Sequence, residues 1–358
     1  MKKVLVGLVL FLLSLPIAVF AQNQNTYNTL VFFGDSLTDN GNLYNFSLGI
    51  IPKSPPYFKG RFSNGATWAE LVADNYKTRY NYESANYAVG GETTYFHNPF
   101  DGFLPYTFSE SIDHYLFRNA FYDKSHSLFF IWIGANDYLP QKNADETISD
   151  KVVSTITDNI ERLIANDGKN FLIVNLPDLA KTPEGRSGDT QTILAALTSS
   201  HNKKIADAVI ALRNKHPDIN IQFFNVSEMF DAMVENPEKF NQKYHVHITD
   251  TMHSCWEGGF TLQQKRMLQQ SMKNNLIQQI KSNPATKNID AEALSKYIAS
   301  SPSLAEAYQV GAASANGSVP CPNQDEYIFW DHVHPSAVAQ YLLSKAFVEF
   351  IDQHYTAG

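Results

Sequence analysis

Short apolar runs alternate along the chain with longer segments of helical apolar spacing. Leu30–Phe33, Leu128–Ile133 (LFFIWI), Phe171–Leu176 (FLIVNL) and Ile219–Val226 are runs bounded by polar or turn-forming residues. Such runs predict strands buried on both faces. Ala66–Tyr76, Thr147–Ile164, Thr192–Leu212 and Ala337–Ile351 space their apolar residues along one helical face, and a further helix begins at Ser227. In Thr147–Ile164 the stripe is Val152, Ile156, Ile160, Leu163 and Ile164, with Gly168 as the expected C-terminal stop. Strands separated by helices imply βαβ units. The predicted fold is therefore α/β, a mainly parallel central sheet covered on both faces in three α/β/α layers.

Gly258–Pro320 breaks this alternation. Gln264–Ser282 is polar and helix-forming and reads as a solvated helix, and Ser300–Val319 is rich in Ala, Ser and Gly. The excursion lies between Cys255 and Cys321, the two cysteines of the chain.

The first residues read as an export address. Lys2 and Lys3 precede an apolar core at Val4–Leu15, and Val19-Phe20-Ala21 has the small residues of a cleavage site. Cleavage after Ala21 is expected. An uncleaved anchor is the alternative, but the run falls short of the ~20 residues that span a bilayer. The expected organisation is a signal peptide at 1–21 and a single domain at 22–358, with an insertion at 258–320. The product is exported, to the periplasm or beyond.

Losing Lys2 and Lys3 takes the formal charge from −8 to −10. An acidic chain without a basic run argues against nucleic acid as a partner. In an oxidising compartment the lone cysteine pair predicts one disulfide, Cys255–Cys321, contributing roughly 4 kcal/mol in the chain-entropy model. The 24 Phe and 18 Tyr supply an aromatic core, and some could face a lipid.

In open parallel sheets, functional groups collect beyond the carboxyl ends of the strands. Four segments qualify. Gly34-Asp35-Ser36-Leu37 follows the first strand, and Gly90-Gly91-Glu92-Thr93 follows Asn86–Val89. Gly134-Ala135-Asn136-Asp137 follows LFFIWI, and Asp331-His332-Val333-His334-Pro335 follows Tyr327–Trp330. Ser36 is either a helix cap or a nucleophile, and a nucleophile needs a base. His334 could be that base, with Asp331 holding its Nδ1 proton and Nε2 left to face Ser36. His332 competes for the role. The ordinary alternative has Asp331 capping the last helix and His334 on the surface. Asn136 offers a neutral donor at the sheet edge, and Gly91 lacks a Cβ, so its N–H can approach a substrate oxygen. The Ser36 N–H would be a third donor.

These blocks, FGDSLTDNGN, NYAVGGET, GANDY and DHVHP, resemble those of the GDSL-type SGNH hydrolase superfamily, a flavodoxin-like α/β/α fold. The resemblance implies Ser36 as nucleophile, Asp331 and His334 completing a triad, and Ser36, Gly91 and Asn136 forming an oxyanion hole. Gly90 is the adjacent alternative to Gly91. GRFSNGATW, NLPDLAKTP and YIFWDHVHPSAVAQ extend the likeness across nearly all of the chain outside the insertion. The DNGN extension, GRFSNG and FWD-x-x-HP narrow it to a secreted bacterial branch of phospholipases, lysophospholipases, thermolabile haemolysins and glycerophospholipid:cholesterol acyltransferases. The Gly-x-Ser-x-Gly elbow of the common α/β-hydrolase fold is absent.

The implied activity is hydrolysis of (lyso)phospholipid acyl esters at membrane or micelle surfaces. Transfer to an alcohol such as a sterol would use the same acyl-enzyme, and no cofactor is required. Two other readings remain: a carbohydrate or small-ester deacetylase on the same triad, and a non-catalytic binding module on a hydrolase scaffold. His245, His247 and Cys255 could instead form a zinc site if the two histidines share a strand face. The expectation is that Cys255 serves the disulfide and that no metal binds. Gly258–Pro320 rejoins just before Asp331. It is expected to be a disulfide-bounded lid, opened by a protease cutting at Ala312–Val319, with a passive surface insertion as the alternative.

Overall fold

The computed structural model describes residues 26–47, 49–95, 107–186, 189–256, 274–278, 280–282, 290–300 and 319–357. The expected signal peptide lies outside the described residues, as do most of the insertion and nearly all of the expected protease-sensitive stretch.

The central sheet has five strands, all parallel: β2 (Thr29–Gly34), β3 (Glu83–Asn86), β4 (Ser127–Trp132), β5 (Asn170–Val174) and β6 (Asn220–Phe224), in the order β3-β2-β4-β5-β6. A short strand, β1 (Thr26–Tyr27), precedes them. All six residues of β4 are buried, as a strand covered on both faces requires. Alternation sorts its side chains between the two faces. Phe32, Phe130 and Trp132 meet Trp68 of helix α2 (Trp68–Tyr80). Phe33 and Phe129 meet Tyr115 of α3 (Phe108–Arg118) on the other face. There α5 (Glu146–Ala165) packs between α3 and α7 (Gln191–Lys215).

Between these elements lie three short helices: α1 (Asn42–Phe46), α4 (Ala135–Tyr138) and α6 (Pro183–Arg186). The chain continues through α8 (Val226–Glu235), α9 (Pro237–Tyr244), β7 (Asp250–Ser254), α10 (Ala291–Ser300), β8 (Tyr327–Phe329), α11 (Ala337–His354) and β9 (Thr356–Ala357). Helix α11 packs beside α2, and its Phe347 stacks on Trp68 with ring centroids 4.2 Å apart. The sheet order reverses between β2 and β4, so the loops after these strands diverge around a crevice.

Several details differ from the sequence reading. The second strand is Glu83–Asn86, and beyond it the Tyr87 and Val89 N–H groups still donate to the Phe32 and Gly34 carbonyls at 2.8 and 3.1 Å. Hydrogen bonding with β2 pairs Glu83–Asn86 with Thr29–Phe32, and an edge strand needs no apolar run. Tyr327–Trp330 does not join the central sheet, because β8 pairs with β7 in a separate two-stranded sheet. Helix α5 stops at Asp167, not Gly168, in the left-handed conformation (φ 70°). The Gly168 N–H reaches back to the Leu163 carbonyl at 2.9 Å and the Asp167 N–H to Ile164 at 3.1 Å, a Schellman pair. Leu276 and Ile280, read within a solvated helix, are buried. They form an i, i+4 stripe that packs into a second apolar cluster with Tyr57, Phe62 and Trp330.

Cys255 and Cys321 form a disulfide, with Cα atoms 5.0 Å apart. The Cys255 and Trp256 N–H groups donate to Phe329 and Trp330 carbonyls at 3.0 and 2.8 Å, tying this junction to the strand that leads into Asp331. Among the described residues no helix is long and apolar enough to cross a membrane.

Removing both thiols in Cys255→Ala/Cys321→Ala should lower the unfolding free energy by about 4 kcal/mol for a loop of this length. Urea denaturation with and without reductant checks this. The wild type should fall to the variant's midpoint on reduction, and a midpoint indifferent to reductant would contradict it.

Candidate active site

Ser36 sits in a single tight turn just past β2. The Thr38 and Asp39 N–H groups both donate to the Asp35 carbonyl, at 3.0 and 2.9 Å. The Leu37 N–H donates to Asp35 Oδ1 at 3.0 Å. A helix cap was one of the two readings of Ser36, but α1 begins only at Asn42. Four backbone N–H groups, from Gly41, Asn42, Leu43 and Gly90, converge on the Asp39 carboxylate at 2.5–3.1 Å. Asp39 thereby links the loop after β2 to the loop after β3.

His334 comes from the far end of the chain. Pro335 ends its loop and Ser336 caps α11, its Oγ accepting the Ala339 N–H at 3.4 Å. His334 Nε2 lies 2.9 Å from Ser36 Oγ. Its Nδ1 lies 2.7 Å from Asp331 Oδ2 and 2.9 Å from Oδ1. Asp331 Oδ1 also accepts the Val333 and His334 N–H groups at 2.9 and 2.7 Å, and the Tyr57 hydroxyl donates to Oδ2. All three residues are buried. Burial alone would raise the Asp331 pKa, but His334 and these donors hold the carboxyl below its usual range. His332, the competing base, has its backbone carbonyl bound by the Glu184 N–H at 2.8 Å.

The two remaining loops meet beside Ser36. Asn136 Nδ2 donates to the Glu92 carbonyl at 3.0 Å, and the Thr94 N–H donates to Asp137 at 3.0 Å. Tyr138 packs behind, its hydroxyl 2.9 Å from Nδ1 of His201, whose imidazole burial holds neutral at a pKa of about 3. Gly91 has a φ of 78°, which disfavours any residue with a Cβ. A Cβ on Gly90 would lie 2.3 Å from the Phe62 ring, which packs on the His334 imidazole at 5.1 Å.

An apolar pocket opens beside Ser36, Asn136 and His334, lined by Leu139, Leu179, Phe230, Met233, Phe329 and Leu343. Its volume is about 50 Å³. Cys255 is held in the disulfide, and His245 lies at the left-handed end of α9 (φ 56°), not on a strand. No metal-binding cluster occurs among the described residues.

Asp39 and Glu92 lie inside the quoted blocks, but their structural roles, and that of Tyr57, had no sequence signal. Tyr57 and Asp39 act on loops that only tertiary structure brings near.

Comparison with known proteins places the site in context. The GDSL-like lipase/acylhydrolase family pattern matches residues 30–347. The chain is 30% identical over 339 residues to a phosphatidylcholine-sterol acyltransferase of Aeromonas hydrophila, covering 94% of this chain and 93% of that one. It is 33% identical over 208 residues to the secreted effector protein SseJ of Salmonella typhimurium, covering 58% and 48%. It is 29% identical over 226 residues to a thermolabile hemolysin of Vibrio parahaemolyticus, covering 61% and 50%. The chain thus spans about half the length of these last two.

Burial raises the Asp35 pKa from 3.8 to about 7, against the pull of the Leu37 N–H and His334. A carboxyl raised on folding contributes stability that is full below its unfolded pKa and lost as pH rises through its folded one. Wild-type stability should therefore decline between about pH 4 and pH 7, and Asp35→Asn should flatten part of that decline. Urea midpoints at pH 4, 6 and 8 check this; parallel curves for the two proteins would contradict it.

Proposed function

The chain belongs to the GDSL-like lipase/acylhydrolase family and is a carboxylic ester hydrolase, and we propose that it cleaves acyl esters of (lyso)phospholipids through Ser36, His334 and Asp331. One observation carries this reading. Asp331, His334 and Ser36 form an unbroken buried chain of hydrogen bonds ending on a hydroxyl beside an apolar pocket.

Ser36 Oγ attacks the ester carbonyl as His334 Nε2 takes its proton. Asp331 holds the Nδ1 proton and stabilises the imidazolium. The oxyanion is met by the Ser36 and Gly91 N–H groups and the Asn136 amide. The Gly90 N–H already donates to Asp39 at 2.8 Å, which favours Gly91 over its neighbour. Collapse breaks the bond to the leaving alcohol, which takes the proton from His334, and leaves an ester on Ser36. Water attacks this ester by the same route, releasing the carboxylic acid. An alcohol in place of water gives acyl transfer, the activity in the Aeromonas relative's name.

The apolar lining suits the first carbons of an acyl chain. A second reading is a carbohydrate or small-ester deacetylase on the same triad. The basic start and apolar run of residues 1–21 support export, as does the relative described as secreted. Residues 22–358 are read as one catalytic domain. Its insertion is read as a cover on the acid–base side, since Leu276, Ile280, Leu294 and Ile298 share an apolar cluster with Phe62 and Trp330.

Ser36→Ala should abolish fatty-acid release from lysophosphatidylcholine, by a thousandfold or more on the order of triad losses elsewhere. Asn136→Ala should lower kcat by about 10²-fold. Fatty acid still released by Ser36→Ala would refute the mechanism. Acetyl esters turned over far faster than long-chain esters would favour the second reading.

A further inference from the structure

Residues 57–64 lie outside the four blocks that carry the candidate chemistry. They nonetheless touch the Asp331–Ala337 loop at four points. The Tyr57 hydroxyl donates to Asp331 Oδ2, and the Phe62 ring lies 5.1 Å from the His334 ring. Ser63 Oγ donates to the Pro335 carbonyl at 2.9 Å, and the Ala337 N–H donates to Asn64 Oδ1 at 2.6 Å. The segment closes on itself through the Phe58 N–H and the Ser63 carbonyl, 2.8 Å apart. Tyr57 and Phe62 are both buried, and their rings meet at 6.0 Å.

The donors on Asp331 are unevenly distributed. Oδ1 receives two N–H groups from its own loop and lies 2.9 Å from His334 Nδ1. Oδ2 receives His334 Nδ1 and the Tyr57 hydroxyl, from a segment 274 positions away. The terminal torsion of an aspartate is soft, and Tyr57 is the donor that fixes Oδ2 from outside the Asp331–His334 loop. A turned carboxylate would no longer hold the imidazole in the tautomer that presents Nε2 to Ser36. A neutral hydroxyl fixes it without adding a charge to the buried pair.

We propose that Tyr57 is a positioning residue for the Asp331–His334 pair. Its hydroxyl sets the plane of the carboxylate and moderates its attraction for the imidazolium. This rests on the proposed function, in which His334 is the base. The groups facing His334 are Ser36, Asp331, Asp35 and the Phe62 ring, with Tyr57 acting through Asp331. Removing the hydroxyl leaves more negative charge on Oδ2 and stabilises the imidazolium.

The test is the rate constant for fluorophosphonate inactivation as a function of pH, which needs no choice of natural substrate. Tyr57→Phe keeps the buried ring. It should react about tenfold more slowly at the plateau, with the acidic limb moved up by roughly half a pH unit. Site-specific 3-fluorotyrosine at position 57, a stronger donor of similar shape, should move the limb down. Superimposable profiles would overturn the proposal. So would a slower plateau with an unmoved limb and a lowered Tm, which would mean packing alone. Ser36→Ala runs alongside: label accepted there would refute the proposed function itself, and label refused confines any failure to Tyr57.

Discussion

A neutral imidazole has two nitrogens, and its strongest neighbour decides which keeps the proton. Here that neighbour is Asp331, bound to Nδ1 of His334, with both residues buried. Much of the architecture converges on this contact. The Trp330 N–H donates to the His334 carbonyl at 2.8 Å, and the Ser336 N–H donates back to Ile328, so the loop is pinned between β8 and α11. The disulfide holds the neighbouring backbone through Cys255 and Trp256. Opposite, Phe62 fills the space that the missing Cβ of Gly90 leaves open. The glycine turn after β3 is thus coupled sterically to the imidazole, and through Asp39 to the turn carrying Ser36.

Four buried carboxyls around the site fall into two electrostatic classes. Asp331 is held below its ordinary range by His334 and by hydrogen bonds. Asp35, Asp39 and Glu92 are raised, chiefly by burial, with Asp39 reaching about 6 against the pull of four N–H donors. The division matters for acyl transfer. A single negative charge beside the imidazole favours the imidazolium, whereas further charges near the Gly91–Asn136 region would repel a developing oxyanion. Glu92 also contributes there through its backbone carbonyl, which fixes the Asn136 amide.

Local chemistry was legible in the sequence wherever it was contiguous. The four long apolar runs are strands because a sheet covered on both faces demands them, and the long helices show their stripes. The polar edge strand Glu83–Asn86 carried no such mark, since only one side of it pairs. The helix stop at Asp167 was missed because a left-handed aspartate is less usual than a glycine. Ser36, Asn136 and His334 stood out because each follows a predicted strand in a short polar block. Tyr57 did not, because its partner lies 274 positions away and nothing local distinguishes it from a core tyrosine. The apolar pocket was likewise hidden, for Phe230 and Met233 fall in a helix of which only the start at Ser227 was marked.

The central claim is that the acyl group passes through an ester on Ser36. Rapid acid quench after mixing with lysophosphatidylcholine, followed by peptide mass spectrometry, tests it directly. The account predicts a fatty-acyl adduct on the peptide containing Ser36 that appears and decays at rates compatible with turnover. Fatty acid released without any such adduct, or with an adduct on another residue, would contradict it.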